Sequence, residues 1–273
     1  MKNSLYFALL LTVSLLFCAC SREVPQDDST LQTTAEQQTE TTAAATEEVM
    51  ETISITIEVT RPVFYGTHNA DYSAEEIWKY FEEVVLNTEY SSGTGNAQLV
   101  QKWMSPIRYR FFGTPTEEDL AVLDGLFAQL NQIPGFPGIH EAAEGETEQL
   151  RISFLEPDVF RDSYSSVVDG EDANGAVEFW YYTDTNEIHS ARIGYRTDID
   201  QSLRNSILME EIVNALGISD TVLREDSITY QYSDFNTALS DVDWILLNLL
   251  YHPEIQCGMD AEACAAVLQQ LCG

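Results

Sequence analysis

The segment Arg204–Gly217, R-N-S-I-L-M-E-E-I-V-N-A-L-G, decides the fold, and the remaining elements are arranged around it. Asp200 is placed to cap a helix, and Gly217 is placed to end it in a left-handed conformation. We therefore predict one long central helix. Its buried face is marked by apolar residues at helical spacing: Leu203, Ile207, Leu208, Ile212 and Leu216.

The polar residues of this helix can be aligned with the zinc-peptidase pattern H-E-x-x-H-x-x-G-x-x-H/D. Glu211 then occupies the position of the general base, Gly217 that of the turn glycine and Asp220 that of the third metal ligand. Glu210 and Asn214 stand where the pattern has its two histidines. Catalytic zinc needs both imidazoles on one helix face, and a neutral amide is a poor zinc ligand. The segment therefore predicts a peptidase-like fold without peptidase chemistry.

Residues 1–20 are typical of an export signal, with Lys2 at the start, an apolar core from Leu5 to Phe17, and a cleavage region that ends in Ala19-Cys20. Alanine before Cys20 fits the pattern that makes this cysteine the lipidated first residue of the mature protein. The apolar run is shorter than the roughly 20 residues that span a bilayer. We expect a palmitate-type lipid anchor on Cys20, which holds the protein on the extracytoplasmic side of the cell membrane.

Residues 21–50 are rich in Thr, Glu and Gln and hold few large apolar side chains, so they predict a disordered tether. Residues 51–273 suffice for one domain with a sizeable core. The chain carries 45 acidic against 13 basic residues, a formal charge of −32. That charge repels nucleic acid and anionic headgroups, so no nucleic-acid partner is expected.

The order of predicted elements indicates an α/β (α+β) fold with a mixed sheet, the central helix and further helices at the C-terminus. Capping residues at Ser73, Thr116 and Ser240 predict helix starts, and residues 156–175 look like a polar surface excursion. The last helix is predicted over Asp260–Leu271. Strands are predicted over Ile53–Val59, Ile107–Phe112, Leu150–Leu155, Ala176–Tyr182 and Ile188–Arg196.

Three cysteines follow Cys20, and we favour a disulfide between Cys257 and Cys264. Cys264 and Cys272 would lie about 12 Å apart along the last helix, which is too far for a bond. No cofactor is predicted, although zinc and calcium both remain open. Calcium could bind the acidic run that contains Asp169, Glu171 and Asp172, which otherwise is a solvated loop.

Two arginines and four histidines are further candidate ligand-binding residues. Arg108 and Arg110 alternate on one face of a predicted strand, where they could bind a carboxylate or pair with the abundant acids. The histidines share no metal-ligand spacing: His68, His140, His189 and His252.

Several segments in one order resemble the bacterial domain of unknown function 2927 family, from about Val100 to Gln270. The segments are Leu99-Val100-Gln101-Lys102-Trp103, Pro106-Ile107-Arg108, Asp119-Leu120-Ala121, Glu210-Glu211, Ala215-Leu216-Gly217, Ser227-Ile228, Asp243-Trp244-Ile245-Leu246-Leu247, Leu250-Tyr251, Pro253 and Gly258-Met259.

That family is similar to zinc metallopeptidases of the metzincin type in degenerate form. The resemblance implies a zincin-like twisted sheet over the central helix, with Ser227–Tyr230 in place of the methionine turn. Two functions follow as hypotheses, and a purely structural role in the cell envelope is a third. In the first, the domain binds a peptide, glycan or protein partner in the cleft that corresponds to the peptidase active site, and Glu211 is a relic of the general base. In the second, the domain is a metal-dependent hydrolase that uses Glu210, Glu211 and Asp220.

Overall fold

The computed structural model describes residues 72–86, 98–167, 173–232 and 236–272. The predicted signal peptide with Cys20, the tether, the strand Ile53–Val59, His68 and the acidic run around Asp169, Glu171 and Asp172 lie outside these residues.

The described residues form six α-helices and six strands. The helices are α1 Ala74–Phe81, α2 Glu117–Leu130, α3 Pro157–Tyr164, α4 Gln201–Ala215, α5 Asp241–Leu250 and α6 Ala261–Cys272, and α1 continues into a π-helical turn, Glu82–Leu86. The strands are β1 Lys102–Trp103, β2 Ile107–Gly113, β3 Ile139–Glu141, β4 Leu150–Leu155, β5 Gly175–Tyr181 and β6 Glu187–Arg196.

The helix starts predicted from capping residues are confirmed. Ser73, Thr116 and Ser240 each accept a hydrogen bond from the backbone N–H three residues on, and the acidic residue there bonds back to the cap. The central helix ends as predicted, because Gly217 has φ 102° and a Cβ there would collide with the carbonyl of Gln101. Asp200 occupies the N-cap position of α4 but makes no capping bond with its side chain.

The strands form one mixed sheet in the order β1-β6-β4-β2-β3, with β5 added to β6. β5 pairs antiparallel with β6, and the other neighbouring strands of the described sheet are parallel. The short strand β1 pairs with the start of β6 through Lys102–Glu187 and Trp103–Ile188. This arrangement confirms the mixed α/β class that the sequence indicates.

The two faces of the sheet differ because side chains alternate along each strand. One face carries the apolar core, where Tyr109 lies 4.7 Å from Phe127 of α2 between ring centroids and the Tyr195 hydroxyl donates to the carbonyl of Leu208 in α4 at 3.0 Å. α3 packs on the opposite face, where Phe160 and Tyr164 bury Ala176 of β5. We call this second face the open face, because α3 covers only part of it, near Ala176 and Arg192.

Three details differ from the sequence prediction. Residues 156–175 are not only a surface excursion, since they contain α3: Pro157 occupies its first turn, and Phe160 and Tyr164 supply a buried stripe four residues apart. The short strands β1 and β3 were missed because two or three residues give no visible alternation.

Within the residues that the structure describes, none of the helices has the length and apolarity needed to cross a membrane.

Candidate functional site

Glu211, the predicted relic of a general base, lies between α4 and the sheet. It is almost fully buried, and Gly175 of β5 makes room for it, because a Cβ at that position would collide with Glu211 and Ile207. Burial raises the pKa of the neighbouring Tyr195 well above its usual value, and the negative charge of Glu211 adds to that rise. The carboxylate of Glu211 is therefore packed against the strand.

The other residues of the motif lie at the C-terminal end of α4. The Asn214 Nδ2 donates to Asp220 Oδ1 at 2.9 Å, and Glu210 is half-buried. Asn214 Oδ1 is buried and has no hydrogen-bond partner among the described residues. Nowhere in the described ranges do three His, Cys, Asp or Glu side chains converge as a metal-ligand set. The structure therefore links Asn214 to Asp220 directly.

The turn after α4 is anchored by a buried polar cluster. Asp243 Oδ1 accepts from Ser227 Oγ at 2.6 Å, and Asp243 Oδ2 accepts from the backbone N–H of Ile228 at 3.0 Å. The hydroxyl of Tyr80 donates to Ser227 Oγ at 2.6 Å, and Thr229 is fully buried beside it. Because these groups are fully enclosed, they tie α1, the turn and α5 together and offer no surface to a ligand.

Lys102 and the two candidate disulfide cysteines form a third group. The ammonium of Lys102 donates to the carbonyl oxygens of Leu250 and Ile255, and burial lowers its pKa to about 8. Cys257 and Cys264 both carry free thiols, and both interact electrostatically with Lys102. The disulfide between Cys257 and Cys264 therefore stays a prediction.

The histidines lie apart from these groups. His140 is exposed on β3, and His252 Nδ1 accepts from the backbone N–H of Glu254 at 3.3 Å. His189 of β6 lies near Tyr182, with ring centroids 4.4 Å apart.

The open face carries a row of arginines across three strands. Arg110 of β2 pairs in register with Arg151 of β4, which pairs with Arg192 of β6. We call these three residues the arginine row. Neighbouring strands lie about 4.8 Å apart, so three like charges stand side by side, an arrangement that is destabilising unless the charges are compensated.

Two glutamates compensate the arginine row in part. Glu148 lies 3.6 Å from Arg110 and 3.5 Å from Arg151, and Glu178 of β5 pairs with Arg192. The exposed fractions of the three arginine side chains are 31%, 49% and 35% in chain order. Among the ion pairs of the described residues, three guanidinium groups thus share two carboxylates and remain partly open to solvent.

Aromatic rings hold two of these guanidinium groups in place. The Arg151 Cζ lies 3.4 Å from the ring centroid of Phe112, and the Arg192 Cζ lies 4.8 Å from that of Tyr164. Stacking leaves the N–H edges of a guanidinium group available for hydrogen bonds. In Arg192 these edges donate to Glu178 and to the carbonyl of Ser163, the latter at 3.0 Å. The arginine row is therefore held in a preferred orientation before any ligand arrives.

Exposed aromatic side chains stand at the end of the open face that α3 leaves uncovered. Trp180 follows Ala176 and Glu178 at the alternation of β5, so it lies on the same face. Tyr182 comes directly after β5, beyond the register shift between Trp180 and Tyr181, and its backbone N–H donates to the carbonyl of Glu187 at 3.0 Å. Trp180 is 46% and Tyr182 53% exposed. With His189 they form what we call the aromatic end. Trp180 pairs with Ser190, two residues before Arg192 and thus about 7 Å from the arginine row.

Sequence reasoning found only part of the open face. The alternation of Arg108 and Arg110 was visible, but Arg151, Arg192, Trp180 and Tyr182 were not connected to it. Arg151, Arg192 and Trp180 occupy the side of their strands that faces away from the core, and the alternation that places them there is visible in each strand separately. The order of the strands in the sheet, which brings them into one row, could not be derived from the sequence.

These features define a mixed α/β domain with one buried sheet face and one partly open, polar face. Residues 74–270 match the family described as "Protein of unknown function (DUF2927)", and the chain belongs to that family. None of the curated proteins matches the chain.

Proposed function

We propose that this chain is an exported protein anchored in the cell membrane through lipidated Cys20, and that its domain binds a peptide, glycan or protein partner outside the cytoplasm. The observation that carries this proposal is the open face, where a partly compensated arginine row lies beside exposed aromatic rings. Trp, Tyr and Arg are the residues that contribute most to binding energy at protein surfaces. The three guanidinium groups share two carboxylates and their side chains stay 31–49% exposed, so they can also bind an anionic group of a partner.

The proposal includes a distant likeness to metzincin-type peptidases that have lost their chemistry. A mixed sheet over a long helix that carries Glu210 and Glu211 is what that likeness implies. The hydrogen bond from Asn214 to Asp220 supports the loss of the metal site, because the amide donor occupies the carboxylate that would otherwise coordinate metal.

The alternative is a metal-dependent hydrolase with Glu210, Glu211 and Asp220 as its site. The orphaned Asn214 Oδ1 favours it, because a buried carbonyl oxygen without a partner is unfavourable unless water or a cation satisfies it. Oxygen-rich ligand sets suit calcium or magnesium better than zinc.

The lipid anchor is tested with the full-length chain in a bacterial host fed a labelled fatty acid. We expect the label to enter the wild-type protein and to be lost from Cys20→Ser. Cys18→Ser is the matched control, since it removes a thiol two residues away and should keep the label. A Cys20→Ser protein that retains both label and membrane association would disprove the anchor.

Binding is separated from hydrolysis with the detergent-solubilised full chain. We expect it to sediment with envelope material of its source bacterium, and Arg151→Gln to weaken this association while Lys79→Gln does not. Lys79 lies on α1, paired with Glu75, and its substitution changes the charge equally. Chelator-sensitive hydrolysis of protein or peptide substrates that Glu211→Gln abolishes would instead establish the alternative.

A further inference from the structure

We propose that the ligand of the open face is an anionic glycan, a chain of sugar rings that carries carboxylate or phosphate groups. This inference rests on the proposed binding function and names the class of partner. The anionic groups bind the arginine row, and sugar rings stack on Trp180 and Tyr182.

The charge of the open face points to an anion although the whole chain is strongly acidic. Against a formal charge of −32, the arginine row places three guanidinium groups in register on adjacent strands. Arg108 extends the positive area on β2, with its Nε bonded to the carbonyl of Thr147 at 3.3 Å. Guanidinium groups present paired N–H donors that match the two oxygens of a carboxylate or phosphate. A bound anion would relieve the repulsion within the row.

The arrangement of the compensating carboxylates leaves room for such an anion. Glu148 is shared by Arg110 and Arg151 at 3.6 and 3.5 Å, distances longer than a charge-assisted hydrogen bond. Arg110 directs its Nη2 instead to the carbonyl oxygens of Ala143 and Glu146, at 3.1 and 2.9 Å. Arg151 therefore has a loose ion pair and the largest exposed fraction of the row, and it is the residue best placed to meet a ligand.

The aromatic end indicates what carries the anionic groups. Trp180 on β5 and Tyr182 just after the end of β5 are large, exposed rings, and their π faces attract the positively polarised C–H groups of a sugar ring. They stand one step along the strands from the arginine row, so one extended ligand can reach both. Ser190 of β6 lies in register beside Trp180 and adds a polar group next to the ring. Sugar hydroxyls can bond to such groups.

A glycan fits these observations better than other polyanions. A duplex nucleic acid carries two charges at each base-pair step, so the acidic chain repels it more strongly than a glycan with at most one charge on each sugar ring. An acidic peptide would use the arginine row but has no need of two exposed rings at its side. A ligand with spaced charges and flat apolar ring faces uses both features.

The test measures equilibrium binding of the solubilised full chain to defined polymers by calorimetry. The probes are polygalacturonate, which carries carboxylates, and phosphorylated dextran, which carries phosphates. Uncharged dextran and poly-L-glutamate control for the charge and for the sugar rings. We expect at least one anionic glycan to bind, and both controls to bind at least about tenfold more weakly.

The variants locate the site. Arg151→Gln and Trp180→Ala should each raise the Kd about tenfold or more, since each removes a charge-assisted bond or a stacked ring. Lys79→Gln and Tyr232→Ala are the matched controls, a paired surface cation on α1 and an exposed ring outside the sheet, and both should bind as the wild type does.

The outcomes distinguish the glycan inference from the proposed binding function on which it rests. If poly-L-glutamate binds as well as the glycans, or if neither anionic glycan binds, the glycan inference is wrong. Sedimentation with envelope material that Arg151→Gln weakens would, in that case, leave the proposed binding function standing. If no anionic glycan binds and Arg151→Gln also leaves the sedimentation unchanged, both the glycan inference and the proposed binding function are wrong.

Discussion

At the scale of single residues, the pair Arg204–Asp119 determines how α4 is joined to α2. Arg204 Nε lies 2.8 Å from Asp119 Oδ1, and the exposed fractions of the two side chains are 6% and 0%. Gln201 donates to the same Asp119 oxygen at 2.6 Å, and Asp119 Oδ2 accepts from the backbone N–H of Thr116 at 2.7 Å. This network holds the start of α4 where the side-chain cap from Asp200 is missing.

We predict that Arg204→Met lowers the free energy of unfolding by about 3–5 kcal/mol, because it leaves Asp119 buried without its counter-charge. The control is Arg161→Met, which breaks the exposed pair with Asp158, where the side chains are 51% and 88% exposed. That change should cost less than about 1 kcal/mol. Urea unfolding of both variants measures the difference, and equal effects would contradict the role given to the buried pair.

The buried ammonium of Lys102 gives a pH-dependent prediction. Its pKa is about 8 in the folded protein because of burial, against 10.5 for a free lysine side chain. Between these two values the unfolded chain binds more protons than the folded one, so stability due to Lys102 rises as the pH rises. The gain is on the order of 3 kcal/mol across the window.

The measurement compares wild type with Lys102→Met by urea unfolding at several pH values between about 7 and 10.5. The difference in unfolding free energy between the two proteins should shift in favour of wild type as the pH rises, because only wild type has the lysine. A difference that stays constant over this range would show that Lys102 titrates normally in the folded state.

At the scale of elements, Gly217 fixes the path from α4 to the following loop. We predict that Gly217→Ala destabilises the fold by more than Gly145→Ala does. Both glycines have positive φ, 102° and 85°, so both variants carry the same backbone strain, about 1–2 kcal/mol. Only at Gly217 would the added Cβ also collide with the carbonyl of Gln101, whereas nothing lies within 4 Å at Gly145.

Thermal unfolding of the two variants separates strain from collision. If both lose the same stability, the carbonyl of Gln101 moves aside easily and the tight end of α4 is not essential. A larger loss for Gly217→Ala means that the approach of β1 to α4 is fixed by the absence of a side chain.

The elements show which parts of the fold can be derived from sequence. Helix starts at Ser73, Thr116 and Ser240 were predicted because capping is local chemistry between residues three apart. The strands β2, β4 and β6 were predicted because alternation is also local. α3 was missed because its single buried stripe, Phe160 and Tyr164, is too short to stand out within a polar segment.

The candidate site follows the same division. The polar motif of α4 could be named from sequence, since all its residues lie within one helix and the following turn. The arginine row could not, because it joins residues of three strands that are about 40 positions apart in the chain and depends on their order in the sheet. Long-range pairing, which leaves no local signal, created this surface.

At the scale of the whole molecule, charge is the dominant feature. With 45 acidic and 13 basic residues, the folded chain concentrates negative charge that the unfolded chain spreads out. The arginine row is therefore a small positive area in a negative field. An anionic ligand is repelled at long range and attracted only on close approach. Such a surface selects ligands that can place a charged group directly on the guanidinium groups.

The same charge predicts how salt affects stability at neutral pH. We expect the midpoint of thermal unfolding at pH 7 to rise between about 10 and 150 mM NaCl, because the screening length falls from about 30 to 8 Å and self-repulsion weakens. A gain of about 1 kcal/mol would raise the midpoint by about 2–4 °C for a domain of this size.

The control is the same titration near pH 4.1, the isoelectric point of the chain, where the net charge is close to zero. Self-repulsion is then absent, so the salt-dependent rise should disappear or reverse as remaining ion pairs are screened. Equal rises at both pH values would mean that salt acts through general solvation. A rise confined to neutral pH means that the repulsion among the acidic residues opposes folding at that pH.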